Sequence, residues 1–291
     1  MNEPAGLLPV DKPEGPTSHD VVGLARRALG TRRIGHTGTL DPFASGLLLL
    51  CVGRATRLAR YLGALDKTYV ARMRLGVATD TDDATGAVTS VSDDWTRVTA
   101  AGVEAALARQ VGEIEQTPPA FSAKRIQGER AYRLARSGRP AAIAAVPVRI
   151  DAIRLIRFEP PEADFEITCG TGTYIRAVAR DAGRALGVGA HLTRLRRTRI
   201  GRFDVADAVP ALRLDDPAAV RAAWIEPLAA VRHLSRIDLA ADQIPVVVRG
   251  GAIPSPPLPD RSGPVALAAH GRLVAIGEVQ GDRVQPRTVI A

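Results

Sequence analysis

Only two cysteines, Cys51 and Cys169, occur in 291 residues. Two thiols so far apart make neither a disulfide framework nor a zinc knuckle, which points to a reducing cytoplasm. The longest apolar run, Leu47 to Val52, is far too short to cross a bilayer, which argues against a membrane partner. The opening MNEPAGLLPVDKPEG lacks a basic start followed by an apolar stretch, so it does not read as a secretory signal. Aromatic residues make up 4% of the chain, too few to stack one ring per base on a single strand. Any nucleic acid bound here is held mainly by its backbone. Several chemical signatures are missing as well. The glycine-rich GHTGTLD has no Gly-Lys-Ser/Thr, no G-x-S-x-G elbow occurs, and the histidines show no helical H-x-x-x-H spacing. In DTDDATG the glycine, Gly86, comes one place late for a calcium loop. A metal site is thus poorly supported.

What the chain has is positive charge and a large apolar fraction. Hydrophobic residues are 46% of it, enough for a sizeable core. The net charge is +8 and the pI about 10.2. From Arg176 to Arg202 there are eight arginines and one aspartate, a local +7. A codon bias would spread such an excess; a concentrated one reads as an electrostatic footprint for a polyanion.

The periodicities suggest an α+β protein. TSHDVVGLARRALG reads as a helix capped by Thr17 or Ser18, with Asp20 in its first turn and Arg26 and Arg27 in its last. TYVARMRLGV alternates as a strand, VTAAGVEAALARQV reads as a helix, and VRIDAIRLIRFE and ADFEITCGTG read as two more strands. Between them, residues 118–140 form a basic excursion bounded by prolines. In TYIRAVARDAGRALG, Arg176, Arg180 and Arg184 fall on one helix face, with Ile175, Val178, Ala179, Ala182 and Leu186 opposite. That arginine face is either solvated or turned toward an anion. A boundary near 232/233 separates a larger domain, 1–232, from a tail, 233–291, of short β-like runs with a turn at His270-Gly271.

One stretch poses a question of its own. GHTGTLDPFASG surrounds a lone carboxylate, Asp41, with three glycines. An aspartate before proline is held out of the helical region, and the glycines admit close approach of another backbone. Alone, the stretch fits either an Asx-turn or a site.

Five blocks in order settle the comparison. LLPVDKPEGPTSHDVV, RRIGHTGTLDPFASGLLLLCVGRATR, DKTYVARMRLGVATDTDDATG, CGTGTYIRAVARDAG and LTRLRRTRIGRF together resemble the TruB family of bacterial tRNA pseudouridine-55 synthases. The tail resembles, less strongly, a PUA-type RNA-binding barrel. Ala55-Thr56-Arg57 departs from the family's usual Ala-Thr-Lys but keeps the charge. The excursion at 118–140 is similar to the RNA-gripping insertion of the stand-alone enzymes. The resemblance implies a mixed, largely antiparallel sheet with flanking helices plus a small C-terminal β-barrel. It implies isomerisation of uridine 55 in the tRNA T-arm, without cofactor or metal, by a monomer.

The resemblance also assigns residues. Asp41 takes the place of the nucleophile and Arg176 that of its cationic partner, which keeps the acid ionised and aims it through its fork. Tyr69 stands where the family's active-site tyrosine does, to stack on the base or relay its proton. Tyr174 and Leu195 match the base pocket. His36 matches the histidine that fills the space left by the flipped base. Arg180, Arg184, Arg196 and Arg197 are candidate RNA-backbone contacts, and Lys12 and Pro13 candidate braces of the catalytic loop. A tRNA-binding folding factor without catalysis is the alternative from another class.

Overall fold

The computed structural model describes residues 4–121, 125–126, 129–130, 143–258 and 260–290. The chain divides into two compact units, one of Met1–Leu40, Leu48–Gly63 and Asp207–Ala291, the other of Asp41–Leu47 and Ala64–Ala206.

The first unit begins with strand β1 (Gly6–Lys12) and helix α1 (Ser18–Ala28). Thr17 caps α1: its hydroxyl accepts from the Asp20 amide while the Asp20 carboxylate accepts from the Thr17 amide, a reciprocal capping box. Gly30, at φ +63°, turns the chain out of the helix. Strand β2 (Ile34–His36) then pairs antiparallel with the second half of β3 (Ser45–Val52). A 3-10 turn over Gly53–Leu58 and helix α2 (Ala59–Gly63) follow. Leu8, Val10, Val21, Val22, Ala25, Leu48, Leu50 and Val52 share one core, so the apolar face of α1 lies on β1 and β3.

In the second unit, β3 starts parallel to β12 (Ala190–Ile200). Beyond β12 the order is β4 (Lys67–Leu75), β11 (Glu162–Cys169), β10 (Val146–Glu159) and β7 (Gly112–Gln116), all antiparallel to their neighbours. The sheet is therefore mixed and largely antiparallel. β4 alternates buried and part-exposed residues, with Lys67, Tyr69, Ala71, Met73 and Leu75 inward, as its sequence pattern requires. The hairpin β5 (Val77–Thr79) and β6 (Val88–Val91) carries the acidic turn. Helix α3 (Ala100–Ala108) and helix α4 (Ile175–Ala185) complete the unit, α4 with its apolar face of Ile175, Val178, Ala179 and Ala182 buried. Much of the expected 118–140 excursion lies outside the described residues; its seen part is the paired β8 (Arg125–Ile126) and β9 (Glu129–Arg130). β13 (Phe203–Asp204) folds back on β12.

The remaining elements belong to the first unit. β14 (Val209–Pro210) runs parallel to β1, and helices α5 (Pro217–Ala223) and α6 (Pro227–Ala230) follow. The tail forms a five-stranded sheet curled into a half-barrel, ordered β15 (Ser235–Asp238), β17 (Pro264–Ala269), β18 (Arg272–Gln280), β19 (Arg283–Val289) and β16 (Ile253–Pro254), with helix α7 (Gln243–Val248). His270 and Gly271, at φ +49° and +72°, make the expected hairpin turn between β17 and β18.

Gly46 is where the β3–β12 pairing demands glycine. Its φ is +102°, and a Cβ there would lie 2.2 Å from the Arg197 carbonyl oxygen. That oxygen is backbone in a paired strand and has nowhere to go. Gly46→Ala is expected to lose about 3 kcal/mol in urea unfolding, the sum of left-handed strain and overpacking. A loss below about 1 kcal/mol would show that the strands part freely there.

Candidate active site

Asp41 sits in the loop between β2 and β3, with its side chain 39% exposed. The preceding residue, Leu40, is buried and is held at both backbone groups by one hydroxyl. Ser18 Oγ donates to the Leu40 carbonyl (3.0 Å) and accepts from the Leu40 amide (2.8 Å). So Ser18 does not cap α1; it fixes the peptide that leads into Asp41. Just beyond, the Ala44 amide donates to the Asp41 carbonyl at 3.1 Å, which closes a tight turn through Pro42.

Arg176 meets this acid from the second position of α4. Its Nε lies 3.0 Å from Asp41 Oδ2, and its side chain is only 5% exposed. The rest of the guanidinium is occupied elsewhere. One terminal nitrogen donates to the Thr81 carbonyl (2.8 Å) and to Asp83 Oδ2 (3.2 Å); the other donates to the Phe121 carbonyl (3.0 Å). A fork closed on Asp41 alone was expected; one cation shared by two carboxylates is what is seen. A buried guanidinium needs all its donors satisfied, and one carboxylate does not suffice.

Asp83 was missed as a site residue. The acidic turn fails as a calcium loop and otherwise stands only within a family block; its pairing with an arginine stripe four residues apart is the available signal. Asp83 Oδ1 accepts from the Thr81 hydroxyl (2.8 Å), the Thr85 amide (2.9 Å) and the Thr85 hydroxyl (2.6 Å), which leaves Oδ2 turned to Arg176. The backbone on either side is bracketed by β12: the Leu192 amide donates to Asp82 O and the Ala84 amide to Leu192 O. Asp82 adopts φ +60°, an uncommon conformation for a residue other than glycine, and turns its own carboxylate to Arg180 at 3.0 Å. Burial pushes the Asp82 carboxyl up, and Arg180 pulls it back in part.

The arginine face of α4 is thus neither solvated nor directed at a phosphate over its first turns. Arg180 is committed to Asp82, Asp181 and the Thr117 carbonyl, so it is corrected from RNA contact to internal brace. Arg184 is the exposed member, 3.6 Å from Asp181. Arg197 is also corrected. It is 1% exposed, and its Nε donates to the Leu47 carbonyl at 2.7 Å, so no phosphate reaches it. Alternation along β12 explains this: Leu195 and Arg197 point inward together, opposite Ala71 and Tyr69 of β4, while Arg196 is half-buried on the other face.

Tyr69 is 8% exposed, beside Arg197. Burial pushes its phenol up, opposed by the Arg197 charge and hydrogen bond, and Asp41 adds to the rise, so the hydroxyl stays protonated at neutral pH. Tyr174 precedes α4, where the buried Gln116 holds its backbone by accepting from the amide (2.8 Å) and donating to the carbonyl (3.2 Å). Leu195 is 6% exposed. Asp41, Tyr69, Tyr174, Arg176 and Leu195 all belong to one compact unit. His36, Lys12 and Pro13 belong to the other. His36 ends β2, paired with Leu50. Lys12 is fully buried and donates to the Pro13 and Pro16 carbonyls, both at 2.8 Å, so it braces the turn before α1. Among the described residues no cluster of His, Cys, Asp or Glu is arranged to hold a metal ion, and no helix is long and apolar enough to cross a membrane.

Comparison with known proteins identifies the family. Residues 26–175 match the TruB family pseudouridylate synthase N-terminal domain, and 176–237 match the tRNA pseudouridylate synthase B C-terminal domain. A protein of Mycobacterium tuberculosis called tRNA pseudouridine synthase B is 42% identical, covering 98% of this chain and 95% of its own. One of the same name from Cutibacterium acnes is 51% identical over 70% of each. A Cbf5–Nop10–Gar1 complex superposes with a TM-score of 0.77 at 27% identity, covering 98% of this chain and 85% of that one. An H/ACA ribonucleoprotein bound to a substrate RNA containing 2'-deoxyuridine gives 0.76 at 26%, with the same coverage. The fold and these matches define a pseudouridine synthase, an RNA-modifying isomerase. The chain belongs to the TruB family.

Truncating Asp83 strands part of a buried guanidinium. Asp83→Ala should cost about 2–3 kcal/mol in urea unfolding, somewhat under the usual penalty for a broken buried pair because Asp41 remains. Asp83→Asn, which keeps the accepting oxygen, should cost less than half as much. Equal small losses in both would show that Arg176 is held by its carbonyl contacts alone.

Proposed function

We propose that this chain converts uridine 55 in the T-loop of tRNA to pseudouridine, with Asp41 as nucleophile and without metal or organic cofactor. The observation that carries this reading is Arg176 Nε at 3.0 Å from Asp41 Oδ2, a partly exposed carboxylate held by a buried guanidinium. The names of the curated relatives support tRNA as the substrate class. In the reaction the N1–C1' bond breaks, the base turns, and C5 bonds to C1'. The C5 proton leaves and N1 gains one, so atoms balance with no external reactant. A carboxylate opens such a link covalently or steadies the cationic sugar, as in glycoside hydrolysis. One acid suffices because the base never departs and no water is activated.

The other residues take roles that follow from their placement. Extruding a paired nucleotide costs a few kcal/mol, offset by contacts to the RNA backbone. Leu195 and Tyr174 offer the base apolar walls on which it can turn. The protonated Tyr69 hydroxyl, placed beside Arg197, is suited to pass a proton on rather than to act as a standing base. Residues 1–232 serve as the catalytic domain and 233–291 as a PUA-like RNA-binding one, in a cytoplasmic monomer.

The test uses unmodified tRNA and chemical mapping of pseudouridine. Wild type should modify position 55 alone. Asp41→Asn should form none while binding tRNA within about twofold of wild type; surviving modification would remove the nucleophile assignment. Tyr69→Phe should slow single-turnover conversion by about a hundredfold or more, the usual worth of general acid–base help. A rate near wild type would leave the ring, not the hydroxyl, as the working part.

A further inference from the structure

The largest concentration of arginine in the sequence is divided. Arg176, Arg180 and Arg197 face inward, the first two paired with aspartates, while Arg184, Arg194, Arg199 and Arg202 are exposed. A different group of arginines remains on the surface of the first unit. Residues 26–40 and 48–60 hold seven arginines, Arg26, Arg27, Arg32, Arg33, Arg54, Arg57 and Arg60, with no lysine, aspartate or glutamate. Three of them brace the protein. Arg26 donates to the Ile34 carbonyl at 3.0 Å, which ties the end of α1 to β2. Arg57 donates to the Val289 carbonyl, and Arg60 donates to the Thr288 hydroxyl at 3.0 Å while covering the Tyr61 ring. Arg27, Arg32, Arg33 and Arg54 are exposed, and among the described residues no carboxylate pairs with any of them.

The backbone places these four around the end of α1 and the β2–β3 pairing. Arg27 lies in the last turn of α1, where the helix dipole favours cations. Gly30 reverses the chain so that Arg32 and Arg33 follow at once. The Gly53 amide donates to the Arg33 carbonyl at 2.8 Å, which sets Arg54 beside Arg33 across the β2–β3 ladder. Guanidinium groups that no carboxylate pairs are open to an anion. Their planar forks match phosphate oxygens in pairs, which a lysine patch does not do. Among the described residues the large apolar side chains exposed are Val88, Val91, Val111, Ile156, Leu212 and Val248, none of them in this patch, so no apolar anchor of a membrane-surface element stands there.

We infer that Arg27, Arg32, Arg33 and Arg54 form a phosphate-binding surface for the RNA backbone, separate from the Arg176–Arg202 stretch. This rests on the reading that the chain binds tRNA, and it places much of the salt-sensitive binding on these side chains. Bound phosphates release condensed counterions, so four contacts steepen the salt dependence together.

The experiment measures affinity for unmodified tRNA across a salt series, for wild type and for the variant R27Q/R32Q/R33Q/R54Q. The slope of log K against log salt should fall by about 3, at roughly 0.7–0.9 per phosphate released. Affinity near 0.1 M salt should drop at least about tenfold. Single variants Arg33→Gln and Arg54→Gln should each lower the slope by about 0.8, which keeps the test open if the quadruple variant folds poorly. A steep wild-type slope that the variants leave unchanged overturns the patch and leaves the tRNA reading standing. A wild type that does not bind tRNA removes both. Vesicles of anionic phosphatidylglycerol form a second arm: binding by wild type and not by the variant, with the tRNA slope unchanged, would make the patch a lipid-facing surface and overturn the inference.

Discussion

A single guanidinium organises the second unit of this protein. Arg176 is almost wholly buried and touches two carboxylates and two carbonyl oxygens. Burying a charge is costly unless its donors are met, and here acids from two loops meet them together. The partners differ in exposure. Asp83 is sealed and saturated with hydrogen bonds, so it acts as counter-ion, whereas Asp41 keeps an open side. One carboxylate satisfies the cation, which leaves the other to be aimed by it.

The surroundings serve to hold that arrangement still. Leu192 on β12 brackets the Asp83 turn, and Gln116 on β7 clips the backbone where α4 begins. Ser18 holds Leu40, and Gly46 lets β3 approach β12 close enough for Arg197 to reach the Leu47 carbonyl. Local rules are broken where α4 starts. Tyr174 gives no side-chain cap, no acid stands in the first turn, and an arginine lies at the positive end of the helix dipole. Such violations gather at working sites, where position outweighs local stability.

Much of this was legible in the sequence. The helix from Ser18, the alternation of β4, the strands β10 and β11 and the His270-Gly271 turn follow from capping, period and turn chemistry, which are local. The lone Asp41 and its partner Arg176 came from family motifs, and the structure brings them together. Asp83 was hidden because its role depends on a residue far along the chain, and an acidic turn reads alike whether it holds calcium or arginine. The arginines misled for a similar reason. Charge density in sequence does not tell which side chains face inward, so Arg180 and Arg197 read as surface cations. On β12 a two-residue period puts Arg197 beside Tyr69, but its burial depends on β3 and β4 flanking it in the sheet, where the Leu47 carbonyl of β3 accepts from it. The arginines near Arg33 stand in shorter, separated runs that do not read as one cluster, because only folding brings Gly53 to Arg33.

If Arg176 is the common support of both acids, removing it and weakening Asp83 should damage the same step only once. A double-mutant cycle of Arg176→Lys and Asp83→Asn, read by single-turnover pseudouridine formation at saturating enzyme, measures this directly. Arg176→Lys, which lacks the planar fork, should slow conversion by roughly a thousandfold. Adding Asp83→Asn should then change the rate by less than about threefold, although alone it slows the enzyme markedly. Losses that simply multiply would mean the two residues act independently, and the shared cation would not be what holds Asp41 ready.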